Sequence, residues 1–111
     1  MKQEWKDKWI AALRSGEYKQ GKAVLRSEDD KFCCLGVLCD LVIKENPKLN
    51  WYIDEEICDY EIDGEAEFPP QGIYDITGDL EIEESELAAL NDIEGLPFKQ
   101  IADVIEAGEL P

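Results

Sequence analysis

Phe32-Cys33-Cys34-Leu35-Gly36-Val37-Leu38-Cys39-Asp40-Leu41-Val42-Ile43 is an apolar run interrupted only by Gly36 and Asp40. Apolar residues on every side of a helical wheel mark a helix buried on several faces. The run therefore predicts a helix over residues 34–43, with Pro47 beyond its end. Such a helix must be enclosed by other elements, which makes it the centre of the fold. Asp40 stands inside it, and an unpaired buried carboxylate is costly. It is expected either at an exposed edge or paired with a base such as Arg14 or Arg26.

Working outward, Trp5, Trp9, Ala12 and Leu13 share one helical face, and Gly16 sits where a helix stops. Residues 22–26 and 31–34 flank the turn-prone cluster Ser27-Glu28-Asp29-Asp30, which predicts a small β-hairpin. Residues 58–68 alternate apolar and acidic side chains, the period of a half-buried strand. A turn belongs at Asp63-Gly64. A two-residue loop would pair Ile62 with Glu65 and mix apolar and charged residues on one face. A three-residue loop pairs Ile62 with Ala66 and Tyr60 with Phe68, and is the expected one. Its solvent face would hold Asp59, Glu61 and Glu67, with Pro69 and Pro70 ending the second strand. Residues 85–91 and 97–107 read as two helices, with Leu87, Leu90, Phe98, Ile101, Ala102 and Ile105 inward, Pro97 at the first helical position and Gly108 at the stop. The sum is an α+β fold: a small single domain, residues 1–111, with a central buried helix, short β-hairpins and a C-terminal helical pair.

Composition limits the function. The 111 residues suit one core rather than two, and 44% apolar content with Trp5, Trp9 and Trp51 argues for a folded domain. No apolar run approaches the roughly 18 to 20 residues that span a bilayer, and residues 1–8 lack a signal-peptide core, so a cytoplasmic location is expected. The net charge is −16. Residues 1–31 carry eight bases and six acids, whereas residues 32–111 carry three bases and twenty-one acids. That field repels nucleic acid and anionic membrane and attracts cationic partners. Cys33, Cys34, Cys39 and Cys58 lack paired zinc spacing and there is no histidine. The cysteines read as small buried hydrophobes, with a redox or nucleophilic role as the other option. Without histidine, Cys-His and Ser-His catalysis is excluded. No metal or cofactor is implied, and the chain reads as a binding protein rather than an enzyme.

Two familiar patterns fit the residues in part. Asp59, Glu61, Asp63, Gly64, Glu65 and Glu67 match much of a calcium-binding loop, but Pro70 stands where its bidentate glutamate belongs. Residues 87–105 have helix-turn-helix spacing, but the chain ends in acidic sequence where a recognition helix should follow. More specific is Ser15-Gly16-Glu17-Tyr18-Lys19-Gln20-Gly21-Lys22, followed by Arg26, a basic and aromatic island in an acidic chain. Glycines let backbone approach a ligand, Lys and Arg hold phosphate, and Tyr18 or a tryptophan can stack on a base. The competing reading is a solvated hairpin whose bases offset the acidic half.

The strings Trp9-Ile10-Ala11-Ala12-Leu13-Arg14-Ser15-Gly16, Tyr18-Lys19-Gln20-Gly21, Phe32-Cys33-Cys34-Leu35-Gly36-Val37-Leu38-Cys39-Asp40-Leu41 and Leu87-Ala88-Ala89-Leu90-Asn91-Asp92 resemble those of small uncharacterised proteins of tailed bacteriophages. The resemblance covers both ends of the chain but not its acidic middle. It implies a phage setting and the host cytoplasm, and transfers no catalytic residue. In that setting two functions are expected. One is counter-defence by sequestering a phosphorylated, nucleotide-type host signal at Tyr18, Lys19, Gln20, Lys22 and Arg26, beside Trp51. The other is an acidic nucleic-acid mimic that blocks a basic host nuclease or defence protein through Asp59, Glu61, Asp63, Glu65 and Glu67.

Overall fold

The computed structural model describes residues 1–56 and 58–111. Among the described residues it is an α+β domain of five helices and two two-stranded sheets. Helix α1 (Gln3–Ser15) buries Trp5, Trp9 and Leu13, as their spacing predicts, together with Ile10, while Ala12 is only partly buried. It ends where Gly16 turns left-handed, at φ 79°. Helix α2 (Cys34–Glu45) is the predicted central helix, buried from Cys34 through Asp40 and again at Val42. Helices α1, α3 (Gln71–Thr77) and α4 (Glu84–Asp92) pack around it. Helix α5 (Phe98–Ala107) covers α1. Trp9 donates its indole N–H to the Cys34 carbonyl (2.9 Å), tying α1 to the first turn of α2. The buried apolar side chains form one cluster running through all of these helices.

The C-terminal pair matches expectation: Leu87, Leu90, Phe98, Ile101, Ala102 and Ile105 are all buried, and Gly108 caps α5 at φ 76°. Pro97 stands one position earlier than expected, at the cap, where its carbonyl accepts from the Gln100 and Ile101 amides. Helix α3 was not anticipated, although Pro70 before it and Gly78 after it are ordinary helix punctuation.

The strands correct the sequence reading. β1 (Lys19–Gln20) runs parallel to β2 (Lys31–Phe32), with Lys19 opposite Lys31 and Gln20 opposite Phe32. The expected hairpin between residues 22–26 and 31–34 survives only as the Ser27–Asp30 turn and one bridge, Arg26 to Phe32. Ala23 takes a left-handed conformation, φ 71°, which breaks the extended run. Leu25 then turns away, donating its amide to the Ala66 carbonyl (2.8 Å). It is fully buried, and its carbonyl presses against Gly36, where a Cβ would lie 1.7 Å from that oxygen. Only glycine allows α2 to approach so closely.

The loop at Asp63-Gly64 is the two-residue one, against expectation. Ile62 and Glu65 exchange both backbone hydrogen bonds at 2.9 Å, and Asp63 and Gly64 have φ of 50° and 83°, both left-handed as this turn requires. The objection about mixed faces does not apply, because the ladder stops there: Ala66 is committed to Leu25, and only Ile62 enters the core. β4 (Tyr60–Glu61) instead pairs antiparallel with β3 (Tyr52–Ile53). Ile62 therefore does not pair with Ala66, nor Tyr60 with Phe68. Among the described residues no helix is long and apolar enough to cross a membrane.

Candidate binding cleft

The end of α1, the strands β1 and β2, the Ser27–Asp30 turn and the third turn of α2 enclose an open cleft of about 640 Å³. It is lined by Tyr18, Phe32, Lys19, Arg26 and Lys44, and by the carboxylates of Glu17, Asp29, Asp30 and Asp40.

Its back wall is organised by Asp40, which is 9% exposed. Asp40 and Lys44 are one helical turn apart and so share a face of α2. Oδ2 accepts from the Tyr18 hydroxyl (2.6 Å) and the Lys44 ammonium (3.1 Å), and Oδ1 accepts from the Trp51 indole N–H (3.0 Å). Neither Arg14 nor Arg26 is its partner: Arg14 pairs with Asp103 and Glu106 on α5, and Arg26 with Asp30. Burial pushes the Asp40 carboxyl up, but the donors Tyr18, Trp51 and Lys44 together outweigh it and hold the group below the usual carboxylate range. Burial first, then the hydrogen bond to Asp40, pushes the Tyr18 phenol up to about 12. Hydrogen bonds to Tyr18 and Asp40 raise the Lys44 ammonium, so all three groups keep their ordinary charges at neutral pH.

Arg26 forms one side. Its guanidinium lies 4.0 Å from the Tyr60 ring centre, 5.4 Å from Phe32 and 5.6 Å from Trp51, a cation–π arrangement on three rings. Those rings belong to an edge-to-face series from Tyr18 through Phe32 and Trp51 to Tyr60. Nε and Nη2 both donate to Asp30 Oδ1, at 2.9 and 2.7 Å. The hydroxyl of Ser27 donates to Asp29, which chiefly holds that carboxyl below its usual range. Lys19 is exposed and has no ion pair among the described residues.

Of the residues singled out in the sequence, Tyr18, Lys19 and Arg26 line the cleft and Trp51 stands behind it, bonded to Asp40. Gln20 and Lys22 do not belong to it. The Gln20 amide donates to Asn91 Oδ1 (2.9 Å) and the Leu96 carbonyl (2.7 Å) and accepts from the Phe98 amide (3.1 Å), so it ties β1 to the α4–α5 connection. Lys22 is exposed, with its ammonium beside Gly95. Sequence reasoning missed Phe32, Asp40, Lys44 and the rim carboxylates as site residues. The Asp40–Lys44 spacing was the available signal.

The predicted acidic face is reduced to a tight turn closed by the Ile62–Glu65 bridge rather than a two-stranded hairpin. Asp59 and Glu61 lie in or next to β4, Asp63 and Glu65 occupy the tight turn, and Glu67 lies outside any strand. Cys33, Cys34 and Cys39 are buried free thiols, and burial pushes Cys33 up to about 11 and the other two well above the ordinary value. They are therefore poor nucleophiles; Cys58 is exposed.

No curated protein and no solved structure matches the chain. A family model does match, over residues 1–109, and therefore spans the cleft and every element around it. The chain belongs to the family described as Domain of unknown function (DUF8296).

Proposed function

We propose that the protein is a non-enzymatic binding protein that sequesters a phosphorylated, nucleotide-type ligand in the cleft between β1, β2 and α2. The observation that carries this reading is the convergence of Lys19, Arg26 and Lys44 on one aromatic-walled cleft in a molecule of net charge −16. Its volume, about 640 Å³, falls in the range of roughly 300–1,000 Å³ typical of small-ligand sites. Cations held on aromatic faces and by buried partners are already oriented, so little ordering cost falls on binding. Tyr18, half-buried on the cleft wall, offers a ring against which a base can stack. The resemblance to phage proteins supports a counter-defence role, in which removing a host nucleotide signal requires affinity but no turnover.

Calorimetric titration with nucleotides tests the assignment. Lys19→Ala and Arg26→Ala are each expected to weaken binding by about tenfold or more, in line with loss of a charge-assisted contact. Lys22→Ala and Gln20→Ala leave affinity within about twofold, provided the fold is intact. Binding that survives the Lys19→Ala/Arg26→Ala double variant would remove the site.

Charge supports a second reading. Residues 53–92 hold fifteen acids and no base, a surface suited to the basic groove of a host nuclease or defence protein. Such a complex weakens steeply with added salt, and a salt-insensitive one rules it out.

A further inference from the structure

The cleft is not a simple basic pocket. Its three bases face four carboxylates, and two of the bases are already matched: Arg26 to Asp30 at 2.7 Å and Lys44 to Asp40 at 3.1 Å. Asp29 is matched to Lys31, at 3.5 Å. This leaves Lys19 and Glu17 without an ion pair among the described residues. With Lys31 counted, bases and acids around the cleft are equal in number, so repulsion from the rim carboxylates grows with each negative charge a ligand brings. A phosphomonoester approaches two charges near pH 7, and a triphosphate carries more. A phosphodiester carries one per phosphate.

Resting on the cleft assignment, we propose that the ligand is a nucleotide whose phosphate is a diester, cyclic or internucleotide, and that Asp30 enforces this choice against terminal phosphates. Asp30 sits on the rim with its carboxylate on two of the Arg26 nitrogens, so a terminal phosphoryl group arriving at Arg26 must displace or repel it. Arg26 does not depend on Asp30 for its place, because Tyr60, Phe32 and Trp51 hold the guanidinium from other sides. A diester meets Arg26 and Lys19 with one charge, while its base and sugar donors face Glu17 and Asp29. Asp40 takes no part in this choice, since three donors from the protein occupy it.

The test measures affinity for adenosine and guanosine 3′,5′-cyclic monophosphates, 5′-monophosphates and 5′-triphosphates at one low salt concentration, in the wild type, Asp30→Asn and Asp103→Asn. Asparagine suits position 30, whose φ is 59°. Asp103, exposed on α5 and paired with Arg14, controls for the loss of one acid elsewhere. The expected result is a wild type that prefers a cyclic nucleotide to its monophosphate by about tenfold, with the triphosphate weaker still. Asp30→Asn reduces that preference about tenfold, and Asp103→Asn leaves it unchanged. A monophosphate or triphosphate that binds wild type as tightly as the cyclic form overturns the diester inference but leaves the cleft assignment standing. Equal effects of the two variants overturn the role of Asp30. Failure of every nucleotide to bind overturns both.

Discussion

Asp40 is the acid that lets an otherwise apolar helix present a polar wall. Removing it leaves the Tyr18 hydroxyl and Trp51 indole without their acceptor, and Lys44 without its counter-ion. Asp40→Ala is expected to cost about 2 kcal/mol in urea unfolding, chiefly because the part-buried Tyr18 and Trp51 donors lose a charged acceptor, Lys44 being largely exposed. The carboxyl is held below its ordinary value in the fold, so its stabilisation is full above the unfolded value of about 3.9 and is lost as pH falls through the folded one. Wild type should therefore lose stability below about pH 4 more steeply than Asp40→Asn. The Tyr18 phenol shows the opposite sign. It is raised to about 12 in the fold, so the stabilisation is complete below the unfolded value of about 10 and fades as pH rises from there to about 12. Tyr18→Phe removes that alkaline loss; an unchanged alkaline profile would contradict the assignment. Gln20 is of another kind. Its three hydrogen bonds reach residues 71, 76 and 78 positions away, so Gln20→Ala should cost about 2 kcal/mol without touching the cleft.

Among the elements, the close passage of Leu25 over α2 decides the β-arrangement. A Cβ at Gly36 would lie 1.7 Å from the Leu25 carbonyl oxygen, whereas one at Gly64 meets nothing within 4 Å. Gly36→Ala should therefore cost more than about 3 kcal/mol or prevent folding. Gly64→Ala should cost about 1 kcal/mol, from its left-handed backbone alone. Thermal unfolding of the two variants separates them. The same contact explains what could be read from the sequence. The helical faces of α1 and α5 repeat every three to four residues and α2 is apolar on nearly all sides, so each is legible within its own segment. The strands are two residues long and their partners come from afar: Leu25 bonds Ala66 and Tyr60 bonds Arg26. No local period encodes such pairings. A three-residue loop follows only if the ladder continues past Glu65, and it does not. In the site, Tyr18, Lys19 and Arg26 were legible by residue type. Gln20 lies outside the cleft, and this could not be read ahead, because an amide serving as a long-range tie has the same sequence signature as one that meets a ligand.

For the whole molecule, charge and cleft pull in different directions. A net charge of −16 repels itself and any anion, so added salt should raise the melting temperature by screening that repulsion. A melting temperature that falls with salt would show that ion pairs such as Arg14 with Asp103 outweigh the global field. Against this background, Lys19, Arg26 and Lys44 gather with four carboxylates around one aromatic cleft, and we propose that these bases hold an anion the rest of the surface rejects. The measurement that tests this most directly is native mass spectrometry of the intact protein purified from bacterial cytoplasm, beside the Lys19→Ala/Arg26→Ala double variant. A retained, phosphorus-containing mass of nucleotide size on the wild type that is missing from the double variant is the predicted result. A wild type that carries no such mass, or a double variant that retains it equally, would contradict the account.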